Sequence, residues 1–369
     1  MSGISRIQCP VLRDRVMTAE EAAELIPNGA TVGMSGFTGA GYPKAIPGAL
    51  AKRIGKINET GGRFRINVWT GASTAPELDG ALAEVDGIEM RLPFQTDPIC
   101  RNRINDGRMD YVDYHLSEVS QYAWSGFLGK MNLAVIEVAG IREDGSLIPS
   151  SSIGNNKTWI EQADKILLEV NSAQNIRMEG MHDVYYGTAL PPNRKPIMLT
   201  NPSDRIGEQY LHCPIDKVIG VVETNAPDRN SPFKAPDDVS KKIAGHIMDF
   251  FDREIEAGRL PKELLPIQSG VGNIPNAVLE GLDEGPYKNL TSYTEVIQDG
   301  MLKMLKSGTL SIASATAFSL SPDGIKEFDE NIELYRDKII LRQQDLSNHP
   351  EVIRRLGIIA MNGLLEADI

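Results

Sequence analysis

Two short strings in the last third of the chain carry residues able to do chemistry. One is a glycine turn, Gln268-Ser269-Gly270-Val271-Gly272-Asn273. The other, downstream, is Tyr293-Thr294-Glu295-Val296-Ile297, which sets one carboxylate inside an apolar, β-prone run. Burying an ion without partners is strongly unfavourable, so such a carboxylate is either used, paired or turned outward. A glycine turn presents bare backbone N–H groups to any oxyanion that forms beside it. A glutamate near those donors can attack an acyl group. Its carboxylate would open a thioester to a mixed anhydride, and the released thiolate would convert that anhydride to a glutamyl thioester. A partly desolvated carboxylate is the better nucleophile, which would account for its apolar neighbours. The competing reading is a strand glutamate facing solvent, with Val296 turned inward.

Other positions offer less. Glycine loops after strands bind phosphates, approach ligands closely or simply turn the chain. The segment 36–41 reads Gly-x-x-Gly-x-Gly rather than Gly-x-Gly-x-x-Gly, which disfavours a dinucleotide site. Thr70-Gly71-Ala72-Ser73-Thr74 and Pro93-Phe94-Gln95-Thr96-Asp97 place hydroxyls after apolar runs, where they could orient a small carboxylate or cap the next helix. Arg229 and Asn348 are polar loop residues suited to a carboxylate or to the surface. The segment 342–345 and the pair Arg354-Arg355 read as a loop and a solvated helix face. His115, His182, His212, His246 and His349 lack metal-ligand spacing, and no Gly-x-Ser-x-Gly elbow is present. Trp69, Trp124 and Trp159 read as core or interface residues.

The elements that must position these groups show as apolar runs of four to eight residues ending in Gly, Ser, Thr or Asn. They include 30–36, 64–73, 133–140, 165–171, 217–225, 264–270, 309–317 and 338–348. Amphipathic stretches such as 18–26, 47–57 and 238–257 lie between many of them. Near-continuous apolar strands alternating with helices predict largely parallel sheets with helices on both faces. Ligands then sit in the loops at the strands' C-terminal ends. A turn-rich stretch at 225–232 predicts two domains, 1–228 and 229–369. An internal echo, with chance likeness of common patterns as its alternative, would agree with two domains: Ser35-Gly36 followed by Gly41-Tyr42-Pro43-Lys44-Ala45 resembles Ser269-Gly270 followed by Gly272-Asn273-Ile274-Pro275-Asn276-Ala277. Two equal copies would need a longer chain, so the second domain reads as incomplete.

The 369 residues exceed one ordinary core. With 41% hydrophobic and 24% charged residues, the composition is that of a globular protein. A net charge of -12 argues against nucleic acid or an anionic membrane as partner. Three scattered cysteines fit a reducing compartment without disulfides. No apolar N-terminal leader or membrane-length run appears, so a cytoplasmic location is expected.

Taken in order, these strings resemble the acetyl-CoA hydrolase/transferase family, particularly its succinyl-CoA:acetate CoA-transferase branch (class I CoA-transferases). The resemblance is carried by residues 35–44, Thr70-Gly71-Ala72-Ser73, residues 101–105, 268–273 and 293–300, and Ile340-Leu341-Arg342-Gln343-Gln344-Asp345. It implies two related α/β domains, usually in a homodimer, and a ping-pong reaction through a glutamyl-CoA thioester. Coenzyme A would be a substrate, with no permanently bound cofactor. Glu295 stands where the family's glutamate belongs, and Val271 where a backbone N–H forms part of the oxyanion hole. Asn348 matches a residue contacting the acyl or carboxylate group; Ser73, Thr96 and Arg229 fall at other active-site positions. Gln268, Ser269, Gly270 and Gly272 complete the substrate-binding turn. The partners implied are an acyl-CoA and a small carboxylate, acetate or succinate. Hydrolysis of acetyl-CoA by the same glutamate is the alternative. Family members continue past Glu366-Ala367-Asp368-Ile369 into a glycine-rich stretch supplying another oxyanion donor and much of the coenzyme A contact, so an inactive fragment is a further expectation. Coenzyme A's phosphates would need local basic residues, for which Lys44 is the position offered.

Overall fold

The structure, a computed structural model, describes residues 6–229 and 235–361. It divides into two compact units. The first takes the described part of Met1–Pro196 with Gly207–Arg229 and Arg342–Asp345; the second takes Ile197–Ile206, the described part of Asn230–Leu341 and the described part of Leu346–Ile369. A single cut after residue 228 therefore misses two exchanged segments, 197–206 and 342–345.

In the first unit the strands are β1 (Thr31–Met34), β2 (Ile66–Trp69), β3 (Ile88–Leu92), β4 (Asp110–Tyr111), β5 (Leu133–Ile141), β6 (Leu147–Pro149), β7 (Lys165–Asn171), β8 (His182–Asp183) and β9 (Val218–Thr224). Their main sheet runs β4-β3-β2-β1-β5-β7-β9, with β6 antiparallel on β5 and every other pairing parallel. All nine residues of β5 are buried, as a parallel strand covered on both faces requires. The helix Ala45–Glu59 lays Ile46, Leu50 and Ile54 against Val32, Ile66, Val68 and Ile88. Fully burying each such side chain contributes about 1.5–3 kcal/mol. Glu169, on β7, accepts from the N–H groups of Lys44 (2.6 Å), Ala45 (3.0 Å) and Ile46 (3.0 Å), where the helix dipole favours a negative charge. Trp69 and Trp159 are core residues, their ring centroids 6.2 Å apart.

The second unit carries β10 (Ile267–Ser269), β11 (Leu290–Tyr293), β12 (Val296–Ile297), β13 (Leu310–Ala315), β14 (Ala317–Phe318), β15 (Ile339–Arg342) and β16 (Ile359–Met361). Its sheet runs β15-β13-β11-β10-β16, all parallel, and β12 pairs with β14. This order repeats β4-β3-β2-β1-β5 of the first unit, element for element. A glycine turn and a helix follow β10 as they follow β1, Asn273–Glu284 here and Ala45–Glu59 there.

Sequence expectation fails at 338–348. The apolar run continues as strand only to Arg342, and residues Gln344–Ser347 turn into a short helix. Residues 342–345 are all buried rather than loop-like and solvated. Arg342 pairs with Asp183, Gln343 exchanges bonds with the backbone of Tyr185 (2.7 and 2.6 Å), and the Gln344 amide donates to Leu116 O (2.8 Å). Arg354 does lie on a solvated face, in an ion pair with Glu351. Residues 366–369 lie outside the described part. Among the described residues, no helix is long and apolar enough to cross a membrane.

Candidate active site

Glu295 occupies the two-residue link between β11 and β12, where the chain leaves one sheet for another. Its carbonyl accepts from Thr316 N (3.0 Å), which pins the link to the matching link between β13 and β14. The side chain is half-buried. Asn348 Nδ2 donates to its Oε1 at 3.2 Å. Burial pushes the carboxyl above the usual glutamate range, and the Asn348 amide pulls it part of the way back. A nucleophilic carboxylate needs this balance: weakly solvated, yet held as the ion by a neutral donor.

The glycine turn lies beside it through two residues that sequence reasoning missed. Thr294 Oγ1 donates to Ser269 O (3.3 Å) and accepts from Ser269 N (3.4 Å). Gln298 Nε2 donates to Gly270 O at 2.8 Å. Thr294 and Gln298 flank Glu295 in the chain, so the segment 294–298 grips the turn on both sides of the carboxylate. Their polarity within an apolar run was the available signal. Gly270 N donates to Met361 O (3.1 Å), which fixes the base of the turn on β16. At its tip Val271 is 69% exposed, and among the described residues no atom lies within 4 Å of where a Cβ on Gly272 would stand. Gly272, at φ 137°, takes a conformation that side chains rarely adopt. The helix Asn273–Glu284 begins immediately after it, so the positive end of its dipole faces the turn. Gln268 is half-buried and Ser269 buried.

The companion loop at 36–41 is built like this one but closed. Every residue except Thr38 is buried, and a Cβ on Gly41 would come within 2.4 Å of Ser152 Oγ. The first copy is a packed structural turn; the second is open.

Ser73 and Thr96 meet in the first unit, their hydroxyl oxygens 2.6 Å apart. Thr96 N donates to Ser73 Oγ (3.1 Å), and Gln95 Oε1 lies 3.2 Å from that oxygen. Helix capping falls to the neighbour Asp97, which accepts from Ile99 N and Cys100 N. Arg229 is exposed and donates to Glu77 Oε1 at 2.8 Å. Lys44 is not available to a phosphate. Its side chain is 3% exposed, with Nζ 2.5 Å from Glu137 and 2.9 Å from Asp228. The expectation failed because buried carboxylates from distant segments claim the ammonium.

A family model for the N-terminal domain of acetyl-CoA hydrolase/transferase matches residues 11–191. The succinyl-CoA:acetate CoA-transferase of Clostridium kluyveri is 45% identical over 364 residues, covering 99% of this chain and 67% of that protein. An acetyl-CoA hydrolase of Neurospora crassa is 40% identical over 371 residues, covering 99% of this chain and 70% of the relative. Among solved structures, RipA from Yersinia pestis superposes with a TM-score of 0.69 over 95% of this chain and 73% of its own; at 18% identity it bears on the fold alone.

Proposed function

The chain belongs to the acetyl-CoA hydrolase/transferase family, and from that premise we propose that it moves coenzyme A between an acyl-CoA and a small carboxylate, acetate or succinate, with Glu295 as the attacking group. The observation that carries this reading is a half-buried carboxylate with a raised pKa, one amide donor and an open glycine turn tied to both sides of it. In the first step a Glu295 oxygen bonds to the thioester carbonyl and the thiolate of coenzyme A departs, leaving an acyl-glutamyl anhydride. The thiolate then attacks the glutamyl carbonyl of that anhydride; the original acid leaves as a carboxylate and a glutamyl-CoA thioester remains. The acceptor carboxylate runs both steps backwards. The developing oxyanion would meet the backbone N–H of Val271. Ser73, Thr96 and Arg229 are the groups we assign to substrate contact.

Removing that N–H while keeping a comparable side chain isolates its contribution. Val271→Pro should lower kcat by roughly 100- to 1,000-fold, the usual loss of one oxyanion donor. Val271→Ala keeps the N–H and should keep most of the turnover. Steady-state kinetics on both variants checks this; equal losses would contradict the assignment.

The pH dependence has a definite sign. The ionised carboxylate attacks, so activity should rise with pH through the raised pKa of Glu295. Asn348→Ala removes the donor that lowers this pKa. The acid limb of the kcat/KM profile should therefore move to higher pH, and a shift to lower pH would contradict the geometry.

Hydrolysis of the same thioester by water is the second reading, favoured by the Neurospora relative's name and by the partial exposure of Glu295. Coenzyme A release with and without acetate or succinate separates the two. Release that depends on the carboxylate supports transfer; release indifferent to it supports hydrolysis.

A further inference from the structure

Beneath the closed glycine loop of the first unit lies a group of ionisable side chains that thioester chemistry does not use. Lys44 Nζ contacts Glu137 Oε2 (2.5 Å) and Asp228 Oδ1 (2.9 Å) and donates to Tyr42 O (2.8 Å). Glu137, wholly buried, also accepts from Asn171 Nδ2 (2.8 Å) and Gln174 Nε2 (3.0 Å). Asp228 further accepts from Gly41 N (3.1 Å), Gln174 Nε2 (3.0 Å) and the Ser151 hydroxyl. Asn171 Nδ2 reaches on to Ala226 O at 2.8 Å. Residues 226–228 are thus tied to the loop, to β5, to β7 and to the segment after β6.

The next residue is Arg229. Its carbonyl oxygen would lie 2.6 Å from a Cβ on Gly39, so the strap can run there only across a glycine. Its guanidinium meets Glu77, whose other oxygen accepts from the Tyr42 hydroxyl (3.1 Å). Tyr42 in turn lies under the Lys44 ammonium, 4.1 Å from ring centre to Nζ.

We infer that the buried Lys44–Glu137–Asp228 cluster is a positioning device that fixes residues 226–228 against the glycine loop, so that Arg229 is presented to an anionic substrate in one place. The inference rests on the assignment of Arg229 to substrate contact made above. The physical reason is the selectivity of buried charge. An apolar contact tolerates sliding, whereas displacing this strap by a hydrogen-bond length takes Asp228 from Lys44, Gly41 N, Gln174 and Ser151 at once. A carboxylate drawn off its buried cation and donors without replacement is strongly disfavoured, so displaced placements are scarcely populated. Burial pushes the Glu137 carboxyl up to about 8, against the pull of Lys44 and with Asp228 and Glu169 adding to the rise.

The test uses the full chain, with Asp228→Asn as the main variant and Glu137→Gln as the milder one. Asp228→Asn keeps the shape and acceptor oxygen but loses the charge facing Lys44. The acyl-CoA KM should rise roughly tenfold while kcat changes by no more than about threefold, the pattern of lost binding rather than lost chemistry. Amide hydrogen exchange should accelerate in the peptides containing residues 36–41 and 226–229. Asp228→Asn combined with Arg229→Gln should be no worse than Arg229→Gln alone, because both act through one group. Additive effects of the two substitutions, or unchanged exchange in both variants, would overturn the inference. If Arg229→Gln alone leaves KM unchanged, the substrate assignment of Arg229 fails, while exchange still reads whether the cluster holds the strap.

Discussion

Replacing Glu295 by Ala should lower turnover by roughly 10,000-fold or more, the scale seen when a covalent nucleophile is removed. Glu295→Asp keeps the carboxylate but withdraws it from the site, and misplacement by about 1 Å can cost roughly 100-fold. Glu295→Gln keeps the shape and can still meet Asn348, yet it cannot attack; it should be as inactive as the alanine variant. Stability separates these losses from unfolding. Burial raises the Glu295 pKa, so its charge disfavours the folded state above that pKa, and the penalty vanishes once pH falls below the ordinary glutamate range. Glu295→Gln should therefore melt at or above the parent temperature at pH 7 to 8, and the difference should shrink as the solution is acidified. An active Glu295→Gln chain would remove the nucleophile from the account.

Breaking the Arg91–Asp79 pair should be the most damaging single change to the fold of the first unit. Both side chains are 0% exposed, and Arg91 Nε lies 2.9 Å from Asp79 Oδ1. Arg91 Nη2 also reaches Asp79 Oδ2 and Ala72 O, each at 3.2 Å. Asp79 Oδ2 takes the Thr74 N–H at 2.7 Å. Arg91→Met would strand a buried carboxylate, a loss of about 3–5 kcal/mol. Arg91→Met with Asp79→Leu removes both charges and should recover much of it. Urea denaturation at pH 7 measures each. Ala72 and Thr74 bracket Ser73, so the single variant should also disturb the Ser73–Thr96 hydroxyl pair, and substrate KM should rise before the protein unfolds. A loss under about 1 kcal/mol would show the pair to be hydrated and of little consequence.

Much of this was legible in sequence because the signals were local. Near-continuous apolar runs marked β5, β7 and β9, since strands covered on both faces have no polar side to show. The echo between 35–45 and 269–277 marked the turn-and-helix unit that the two sheets share. Glu295 stood out as a carboxylate in an apolar stretch downstream of a glycine turn, although Glu137 and Glu169 also lie in apolar runs. What sequence hid was long-range pairing. Residues 342–345 look like surface because polar runs usually are, yet each side chain is buried among partners from far along the chain. Lys44 looks like a free cation for the same reason, because its carboxylates come from residues 137 and 228. The difference between the two glycine turns was equally invisible: similar strings, one sealed by Ser150 and Ser152, the other left open at Val271.

A nucleophilic Glu295 must become covalently attached to coenzyme A during turnover. Incubation of the purified chain with acetyl-CoA alone, followed by proteolysis and mass spectrometry of the peptide containing residue 295, tests it most directly. The expected product is a coenzyme A thioester on Glu295, lost on adding acetate or succinate and convertible by borohydride to the reduced side chain. Turnover of acyl-CoA with the Glu295 peptide unmodified throughout would contradict it.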